Sequence, residues 1–396
     1  MASSSSRPAT RELDLVLFGA TGFTGGLTAD YLASVAPASL RWGLAGRNLT
    51  KLGEVRSRLA AHDPRYADLP LLHADVADPG SLAAVAERTR VLATTVGPYL
   101  RHGEPLVRAC ADAGTDYLDL TGEPEFVDRM YLLHHATAVR TGARLVHACG
   151  FDSIPHDLGA YFTVRQLGPV TEPLTMRGVV RAGAGLSGGT FHSALEQFSR
   201  ARQLRSAMAE RRRTEPRPTG RSSRAVSAPP GRDQELGYWL VPLPTIDPAV
   251  VARSGAALAE YGPRFRYSHF AGTRTLRFAV GGAVAVSGLA LGAQVSPLRR
   301  FLGSRVPQGE GPSPRHRERS WFTVDFLAET GGRQLRTRVS GGDPGYTETA
   351  KMLGEAALCL ALDDNPPTAG QVTPAQAMGE QLLGRLQRAG LSFEVV

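Results

Sequence analysis

The distribution of apolar residues along the chain begins with a strand-like run at residues 12–18. A parallel strand covered on both faces is apolar along most of its length. This run ends in a turn with glycine at every third position, and a helix-like stretch follows at 27–35. The pattern predicts an α/β fold, a Rossmann-type doubly wound parallel sheet over residues 11–155. Its other expected strands are 40–45, 71–75, 90–96, 116–120 and 143–148.

The rest of the chain predicts a second α+β domain, residues 156–345, inserted before C-terminal helices at 346–396 that return to the first domain. In the second domain, alternating and helical patterns predict a strand at 176–181, a helix at 190–203 and a hairpin at 321–339. The first ten residues are rich in serine and have no apolar core of a signal peptide. We expect them to form a disordered tail.

Two segments of the second domain have unusual composition. Residues 200–232 are dense in arginine, serine and proline, which predicts a mobile, solvated loop or a basic patch that meets anionic lipid. Residues 278–295 contain no formal charge, yet they are slightly shorter than the roughly 20 residues that span a bilayer. A buried helix, a membrane-surface or re-entrant segment and a true span all remain open for this segment.

The glycine turn is typical of a dinucleotide site. Gly19 allows a sharp turn after the strand, Gly22 allows the backbone to approach a pyrophosphate, and Gly25 allows the helix to pack closely on the sheet. The N–H groups of the first helical turn would face the phosphate charge. The expected cofactor-binding residues of this turn are Gly19, Thr21, Gly22, Phe23, Thr24 and Gly25. An ordinary tight turn is the alternative.

The end of the second strand predicts NADP(H) rather than NAD(H). An acidic residue at this point would bind the ribose 2′-hydroxyl, whereas an arginine accommodates a 2′-phosphate. This chain has Arg47 there, followed by Asn48 and, one helical turn later, by Lys51. A guanidinium can hold phosphate with two hydrogen bonds or stack on adenine. The alternative for Arg47 is a solvated arginine at the start of a helix.

The ends of the third and fourth strands complete the expected cofactor site. Asp75 and Val76 would lie near the adenine, whereas the segment after the fourth strand borders the crevice in which ligands of open α/β sheets bind. That segment is expected to approach the nicotinamide half. Its residues are Thr95, Val96, Gly97, Pro98 and Tyr99.

Charge and cysteine content narrow the classes of partner. The formal net charge is +8, but only Lys51 and Lys351 are lysines, so the arginine excess resembles codon bias more than selection for nucleic acid. Aromatic residues do not alternate with the arginines as stacking platforms would. Three scattered cysteines predict neither a disulfide nor a metal site and fit a reducing cytoplasm. We therefore expect no nucleic-acid partner, no metal, and a cytoplasmic protein.

Several short motifs together resemble the saccharopine dehydrogenase-like oxidoreductases, in particular the bacterial trans-acting enoyl reductase subfamily. The segment Gly150-Phe-Asp-Ser-Ile-Pro155 is much more specific than the glycine turn. His156 departs from the family pattern, which usually has serine or alanine at this position. The remaining motifs, which extend over nearly the whole chain, are 19–25, 45–47, 96–99, 103–105, 122–124, 188–190, 342–346, 373–374 and 377–379.

The resemblance implies an NADPH-dependent reductase that reduces an enoyl double bond of a lipid or polyketide intermediate, presented by a separate synthase. Because animal relatives are associated with membranes and lipid droplets, it also favours contact of 278–295 with a membrane surface, peripheral at the plasma membrane. A homodimer is a further expectation. Two other functions stay open: reduction of an amino-acid imine, as the family's name suggests, and a non-catalytic NADPH-binding protein at a membrane or lipid-synthesis complex.

Enoyl reduction needs a group that protonates the α-carbon and stabilisation of the enolate oxygen. Tyr99 is the first candidate, because its position borders the nicotinamide crevice. Asp152, Ser153 and Asp157 are further candidates from the segment 150–159, which joins the two expected domains and is called the hinge, and His192 is a candidate from the expected helix at 190–203. Each has a structural alternative: Tyr99 packs on the ribose, the hinge residues cap a helix, and His192 lies on the surface.

Overall fold

The computed structural model describes residues 11–183, 188–295, 297–298, 300–301 and 311–396. The chain forms two compact units. Among the described residues, unit 1 comprises those up to Thr121, Glu125–Phe151 and Tyr346–Leu386, and unit 2 comprises those within Gly122–Pro124, Asp152–Gly345 and Gln387–Val396.

The helices and strands are numbered in chain order. The helices are α1 (Phe23–Val35), α2 (Leu49–His62), α3 (Pro79–Arg88), α4 (Tyr99–His102), α5 (Glu104–Ala113), α6 (Pro124–Thr141), α7 (Ile154–Leu167), α8 (Gly188–Ser199), α9 (Ala201–Thr214), α10 (Asp247–Ala257), α11 (Leu276–Gln294), α12 (Pro314–Arg319), α13 (Thr347–Leu362) and α14 (Pro374–Arg388). The strands are β1 (Leu13–Phe18), β2 (Trp42–Gly46), β3 (Leu71–His73), β4 (Thr89–Thr94), β5 (Asp116–Leu118), β6 (Arg144–Val146), β7 (Leu174–Ala182), β8 (Ser222–Ala225), β9 (Gly231–Arg232), β10 (Trp239–Pro242), β11 (Arg264–Thr273), β12 (Phe322–Thr330), β13 (Arg333–Gly341), β14 (Gly370–Val372) and β15 (Ser392–Val395).

Unit 1 contains the predicted Rossmann-type sheet. Its strand order is β14-β6-β5-β4-β1-β2-β3, and every pairing is parallel. Every residue of β1 is buried, as expected of a central parallel strand. The order reverses between β1 and β4, which is the switch point beside which ligands bind in such sheets. The fold class is therefore confirmed, including the return of the C-terminal helices.

The C-terminal return contributes more than the two predicted helices. The helix α13 packs against α1, where Gly354 leaves room for the ring of Tyr31 and Glu355 accepts a hydrogen bond of 2.5 Å from the Tyr31 hydroxyl. The short strand β14 adds a seventh strand beside β6. The strand β14 was not predicted, because Val372 is the one strongly apolar residue among its three.

Unit 2 is built on a mixed sheet of order β15-β13-β12-β7-β11-β10-β9, with β8 paired to β11. The strand β11 runs parallel to β7 and β8, whereas the other pairings are antiparallel. The helix α7 packs on β12 and β13, where Gly159 lies against the ring of Phe326. Because β15 pairs with β13, the last ten residues belong to unit 2, and the expected grouping of all of 346–396 with the first domain is wrong there.

The prediction of a loop over residues 200–232 is wrong. The segment contains α9, β8 and β9. One side of α9 is covered, because Ala207 and Arg211 are buried, and the Arg211 guanidinium donates two hydrogen bonds of 2.9 Å to Glu215. An arginine-rich helix whose arginines pair locally has no apolar periodicity, so the sequence pattern resembled a solvated loop.

The uncharged segment 278–295 forms most of α11, and the buried-helix alternative is wrong. Phe278, Val284 and Leu291 are 62%, 65% and 73% exposed. Among the helices that the structure describes, none combines the length and the hydropathy needed to cross a bilayer.

Candidate active site

The residues that the sequence assigns to the cofactor follow the C-terminal ends of four neighbouring strands. The glycine turn follows β1, Arg47 follows β2, Asp75 follows β3, and the segment 95–99 follows β4. The carboxyl ends of parallel strands form the ligand-binding edge of an open α/β sheet. The topology therefore brings this set to one edge of unit 1.

The glycine turn has the geometry that a pyrophosphate needs. Gly19 has a φ of 99°, and its ideal Cβ would lie 2.7 Å from Val96 Cγ2. A Cβ on Gly25 would overlap the carbonyl oxygen of Gly19, so only glycine lets α1 approach β1 this closely. Gly22 is exposed and has no side chain to cap α1, which leaves space where a phosphate would lie. These observations fit a dinucleotide.

The end of β4 packs directly on the glycine turn. The Thr95 hydroxyl donates a hydrogen bond of 3.2 Å to the Gly19 carbonyl, and the Thr95 N–H donates to the Phe18 carbonyl. The Gly97–Pro98 peptide bond is cis. The residues expected near the pyrophosphate and near the nicotinamide are thus adjacent in unit 1.

The residues after β2 and β3 divide into two groups. Arg47 and Lys51 are exposed and can reach a ligand phosphate. Asn48 and Asp75 instead stabilise the local backbone: the Asn48 side chain caps α2 by accepting a hydrogen bond from the Lys51 N–H, and Asp75 accepts one from the Ala77 N–H. Val76 is half-buried beside Asp75.

Tyr99, the first candidate proton donor, is placed unfavourably for that role. Its ring is 6% exposed, and its hydroxyl donates to the Thr94 carbonyl at 3.3 Å and accepts from the Leu120 N–H at 3.1 Å. Both hydrogen bonds join β4 to the chain after β5. The geometry therefore assigns Tyr99 a structural role in unit 1, and we do not retain it as a proton donor.

Asp152 lies in unit 2 at the contact between two of the sequence motifs. An ideal Cβ on Gly122 would lie 3.1 Å from Asp152 Oδ2, so the motif at 122–124 packs directly on this carboxyl. The next residue, Glu123, accepts a hydrogen bond of 2.9 Å from Ser193 of α8. The side chain of His192, also on α8, lies outside the described residues. Asp152 therefore packs on the motif at 122–124, and the same motif contacts α8.

The surroundings of Asp152 favour its protonated form. The residue keeps partial surface exposure, but protein atoms enclose its carboxyl group. Burial, followed by repulsion from Asp247, raises the pKa of Asp152 to about 7, although His156 partly offsets these effects. A carboxylic acid with this pKa can donate a proton near neutral pH.

Neither of the other two hinge candidates caps α7 in the expected way. Ser153 is fully buried at the N-cap position, but its side chain makes no capping hydrogen bond. Asp157 is also fully buried, and its Oδ1 accepts a hydrogen bond of 2.5 Å from the Ser254 hydroxyl. Asp157 therefore joins α7 to α10.

Two residues near this hinge were not predicted from the sequence. Asp247 lies at the start of α10, with Oδ1 2.9 Å from His156 Nδ1 and Oδ2 3.8 Å from His269 Nε2. Burial opposes ionisation of Asp247, yet His156 and His269 lower its pKa below the ordinary value. His156, Asp247 and His269 lie far apart along the chain, so no short sequence motif could have predicted that they cluster.

Comparisons with known proteins identify the family. Residues 15–146 match the model of the saccharopine dehydrogenase NADP binding domain. A Mycobacterium tuberculosis protein that is provisionally named a trans-acting enoyl reductase is 42% identical to this chain, and the alignment covers 97% of each chain. The trans-acting enoyl reductase of Mycobacterium ulcerans is 38% identical, again over 97% of each chain.

A solved structure supports the fold alone. Saccharopine dehydrogenase (L-Glu forming) from Saccharomyces cerevisiae aligns with a TM-score of 0.55 at 12% identity, over 96% of this chain and 99% of the yeast chain. The extended identity to the mycobacterial proteins and the matched NADP-binding domain agree with the geometry of the glycine turn. The chain belongs to the saccharopine dehydrogenase-like family of NADP-dependent oxidoreductases, within its trans-acting enoyl reductase branch.

Proposed function

We propose that the protein reduces the enoyl double bond of a lipid or polyketide thioester with NADPH, and that a separate synthase presents this substrate. The names of the mycobacterial relatives support enoyl reduction in trans. The placement of Asp152 is the observation on which the proposed chemistry depends, since the reaction needs a proton donor as well as a cofactor site.

The residues of this chain would have the following roles in the proposed reaction. NADPH, when bound, supplies a hydride to the β-carbon of the enoyl group. Gly19, Gly22 and Gly25 shape the turn for the pyrophosphate, and Arg47 binds the 2′-phosphate. The Asp152 carboxyl donates its proton to the α-carbon as the enolate collapses, and it regains a proton from water. Ser153 and His192 remain secondary candidates for contact with the substrate.

A substrate screen tests the proposed reaction. NADPH oxidation is followed with long-chain enoyl thioesters, amino-acid imines and ketones, using the full chain. We expect turnover with enoyl thioesters to exceed turnover with the other two classes by at least tenfold. Turnover of imines alone would contradict the proposal and favour saccharopine-type chemistry, whereas NADPH binding without turnover of any class would indicate a non-catalytic role.

We also propose that α11 contacts a membrane surface. Four of its exposed apolar residues lie within an arc of about 80° on one side of the helix, whereas the exposed Phe278 lies outside this arc. The four are Leu276, Val280, Val284 and Leu291, at 50%, 53%, 65% and 73% exposure, and we call this set the apolar stripe. The opposite side is buried at Ala279 and Ala293, and α11 packs against α8.

Charge supports a lipid surface as the occupant of the apolar stripe. The helix contains no acidic residue, Arg277 is exposed in its first turn, and Arg300 is exposed beyond its end. Basic residues that flank an apolar helix face favour an anionic bilayer surface. A membrane contact would place the enzyme where lipid intermediates are found.

A further inference from the structure

Three ligand-type side chains of unit 2 converge on one buried point. His156 of α7, Asp247 of α10 and His269 of β11 are 2%, 3% and 5% exposed. One ligand atom from each lies within 4.8 Å of the others. The rings of His156 and His269 meet edge to face, with their centroids 4.8 Å apart. Three separate elements thus direct nitrogen and oxygen ligands to the same place.

The distances in this cluster fit a tetrahedral cation. Bonds of about 2.0–2.1 Å from zinc to nitrogen and oxygen place neighbouring ligand atoms roughly 3.3 Å apart. The observed separations, 2.9 Å from His156 Nδ1 to Asp247 Oδ1 and 3.8 Å from His269 Nε2 to Asp247 Oδ2, lie on either side of that value. These two contacts use different oxygens of Asp247. Because the three ligand atoms lie within 4.8 Å of one another, side-chain movements of up to about 1.5 Å would bring them to the tetrahedral spacing.

The contact between His156 and Asp247 is close, but it is not aligned as a well-formed hydrogen bond. Although Asp247 Oδ1 lies 2.9 Å from His156 Nδ1, it receives no hydrogen bond of acceptable geometry from any residue that the structure describes. A buried carboxylate oxygen in this condition is costly. This arrangement is expected if His156 Nδ1 and Asp247 Oδ1 both point at a bound cation rather than at each other.

The residues around the cluster provide outer-shell support. His269 Nδ1 lies 3.2 Å from the Tyr267 hydroxyl, and this contact orients the ring with Nε2 toward Asp247. Gly178 lies on the neighbouring strand β7, and a Cβ there would overlap the Tyr267 hydroxyl. Glycine at this position therefore leaves room for the Tyr267 side chain. A hydrogen bond at the non-ligating nitrogen is the usual companion of a metal-bound histidine.

We propose that His156, Asp247 and His269 bind one divalent transition-metal ion of the zinc class, which joins α7, α10 and β11. Two imidazoles and one carboxylate are a donor set that suits zinc and cobalt, with a fourth position for water. The expectation of no metal rested on the scattered cysteines and is contradicted by this proposal, whose three ligands lie far apart along the chain. The proposal does not depend on the proposed reaction.

Direct metal binding tests this proposal. Untagged full-length protein is treated with a chelator, dialysed and titrated with Co²⁺ while visible d–d absorption is recorded. Competition with Zn²⁺ and metal analysis of the zinc-loaded protein then give affinity and stoichiometry. We expect one equivalent, intense absorption of a four-coordinate site, and a melting temperature raised by about 5 °C or more at zinc roughly 100 times above Kd. Absence of binding by the folded wild-type chain would overturn the proposal.

Substitutions at the three proposed ligands test where the ion binds. His269→Ala and His156→Ser are each expected to weaken Co²⁺ binding at least 100-fold, whereas His73→Ala, which removes the exposed histidine at the end of β3, leaves it unchanged. Circular dichroism verifies folding, and Asp247→Asn replaces any variant that fails to fold. Unchanged binding in folded variants of the cluster would mean that the ion binds elsewhere, and would equally overturn the proposal.

Discussion

Gly25 lies where α1 comes closest to the end of β1, and its missing side chain is required there. Because the obstacle to a Cβ is the backbone oxygen of Gly19, no side-chain movement could relieve the overlap. The same reasoning identifies Gly53 in α2 as a matched control, since nothing lies within 4 Å of its ideal Cβ.

We expect Gly25→Ala to lower the free energy of unfolding by about 1–3 kcal/mol and to weaken NADPH binding by at least tenfold. Gly53→Ala should be neutral or stabilising by up to about 1 kcal/mol, because alanine favours a helix interior. Denaturant unfolding and fluorescence titration with NADPH measure the two effects. Equal behaviour of the two variants would contradict the assigned role of the turn.

Arg47 determines the preference for NADPH if the 2′-phosphate binds after β2. A charge-assisted hydrogen bond contributes about 1.5–3 kcal/mol, so Arg47→Ala should weaken NADPH binding about 10–100-fold and leave NADH binding unchanged. Arg41, which precedes the same strand and pairs with Asp14, provides the control substitution Arg41→Ala. An unchanged ratio of the two affinities in Arg47→Ala would show that another residue reads the phosphate.

Asp152 gives the proposed reaction a specific pH dependence. Its folded-state pKa of about 7 lies above the ordinary carboxyl value of 3.8, so the proton needed for donation is present below pH 7 and is lost above it. We expect kcat for enoyl reduction to be level at low pH and to fall about tenfold per pH unit well above 7.

Substitution of Asp152 tests the same assignment. Asp152→Asn should lower kcat by about 10²–10⁴-fold without changing the Kd of NADPH, whereas Asp68→Asn, at an exposed carboxyl before β3, serves as the control. The measurements are made on chelator-treated protein, because a cation on Asp247 would alter the repulsion that raises the Asp152 pKa. An Asp152→Asn variant with wild-type kcat would exclude Asp152 as the donor.

At the scale of elements, α11 shows what an apolar pattern does and does not determine. The uncharged run 278–295 predicted a helix-length apolar segment, but burial depends on partners from distant parts of the chain. The converse is true of α9, an arginine-rich helix without an apolar pattern, in which the buried Arg211 pairs with Glu215. In neither case did local composition reveal how the helix packs.

Vesicle flotation tests the apolar stripe. We expect the wild-type chain to float with vesicles that contain anionic lipid, and the double variant Val284→Glu, Leu291→Glu to bind at least tenfold more weakly. The matched control is Leu133→Glu, Val139→Glu on α6, two apolar residues at 55% and 48% exposure in unit 1.

The same variants distinguish the alternative occupant of the stripe. If the wild-type chain does not bind vesicles, or if the stripe variant binds as well as the wild type, the membrane proposal is contradicted. A dimer in sedimentation that only the stripe variant loses would assign the stripe to a second copy of the chain.

At the scale of the whole molecule, the order of helices and strands could be predicted from the sequence, whereas the contacts between distant elements could not. Six alternating strand and helix patterns, a glycine turn and an arginine after β2 were sufficient for the Rossmann-type sheet and for NADP(H). The convergence of His156, Asp247 and His269 could not be predicted, because three elements meet there only after folding. The hydrogen bonds of Tyr99 could not be predicted either, since the position of a residue along the chain does not reveal the partners of its side chain.

Isotope transfer during turnover tests the proposed function most directly. NADPH deuterated at the nicotinamide C4 position is incubated with a long-chain enoyl thioester and the full chain, and the product is analysed by mass spectrometry. Enoyl reduction predicts one deuterium on the β-carbon, and ordinary NADPH in D₂O predicts one on the α-carbon. Product without deuterium at the β-carbon, or deuterium transferred only to the carbon of a C=N substrate, would contradict enoyl reduction.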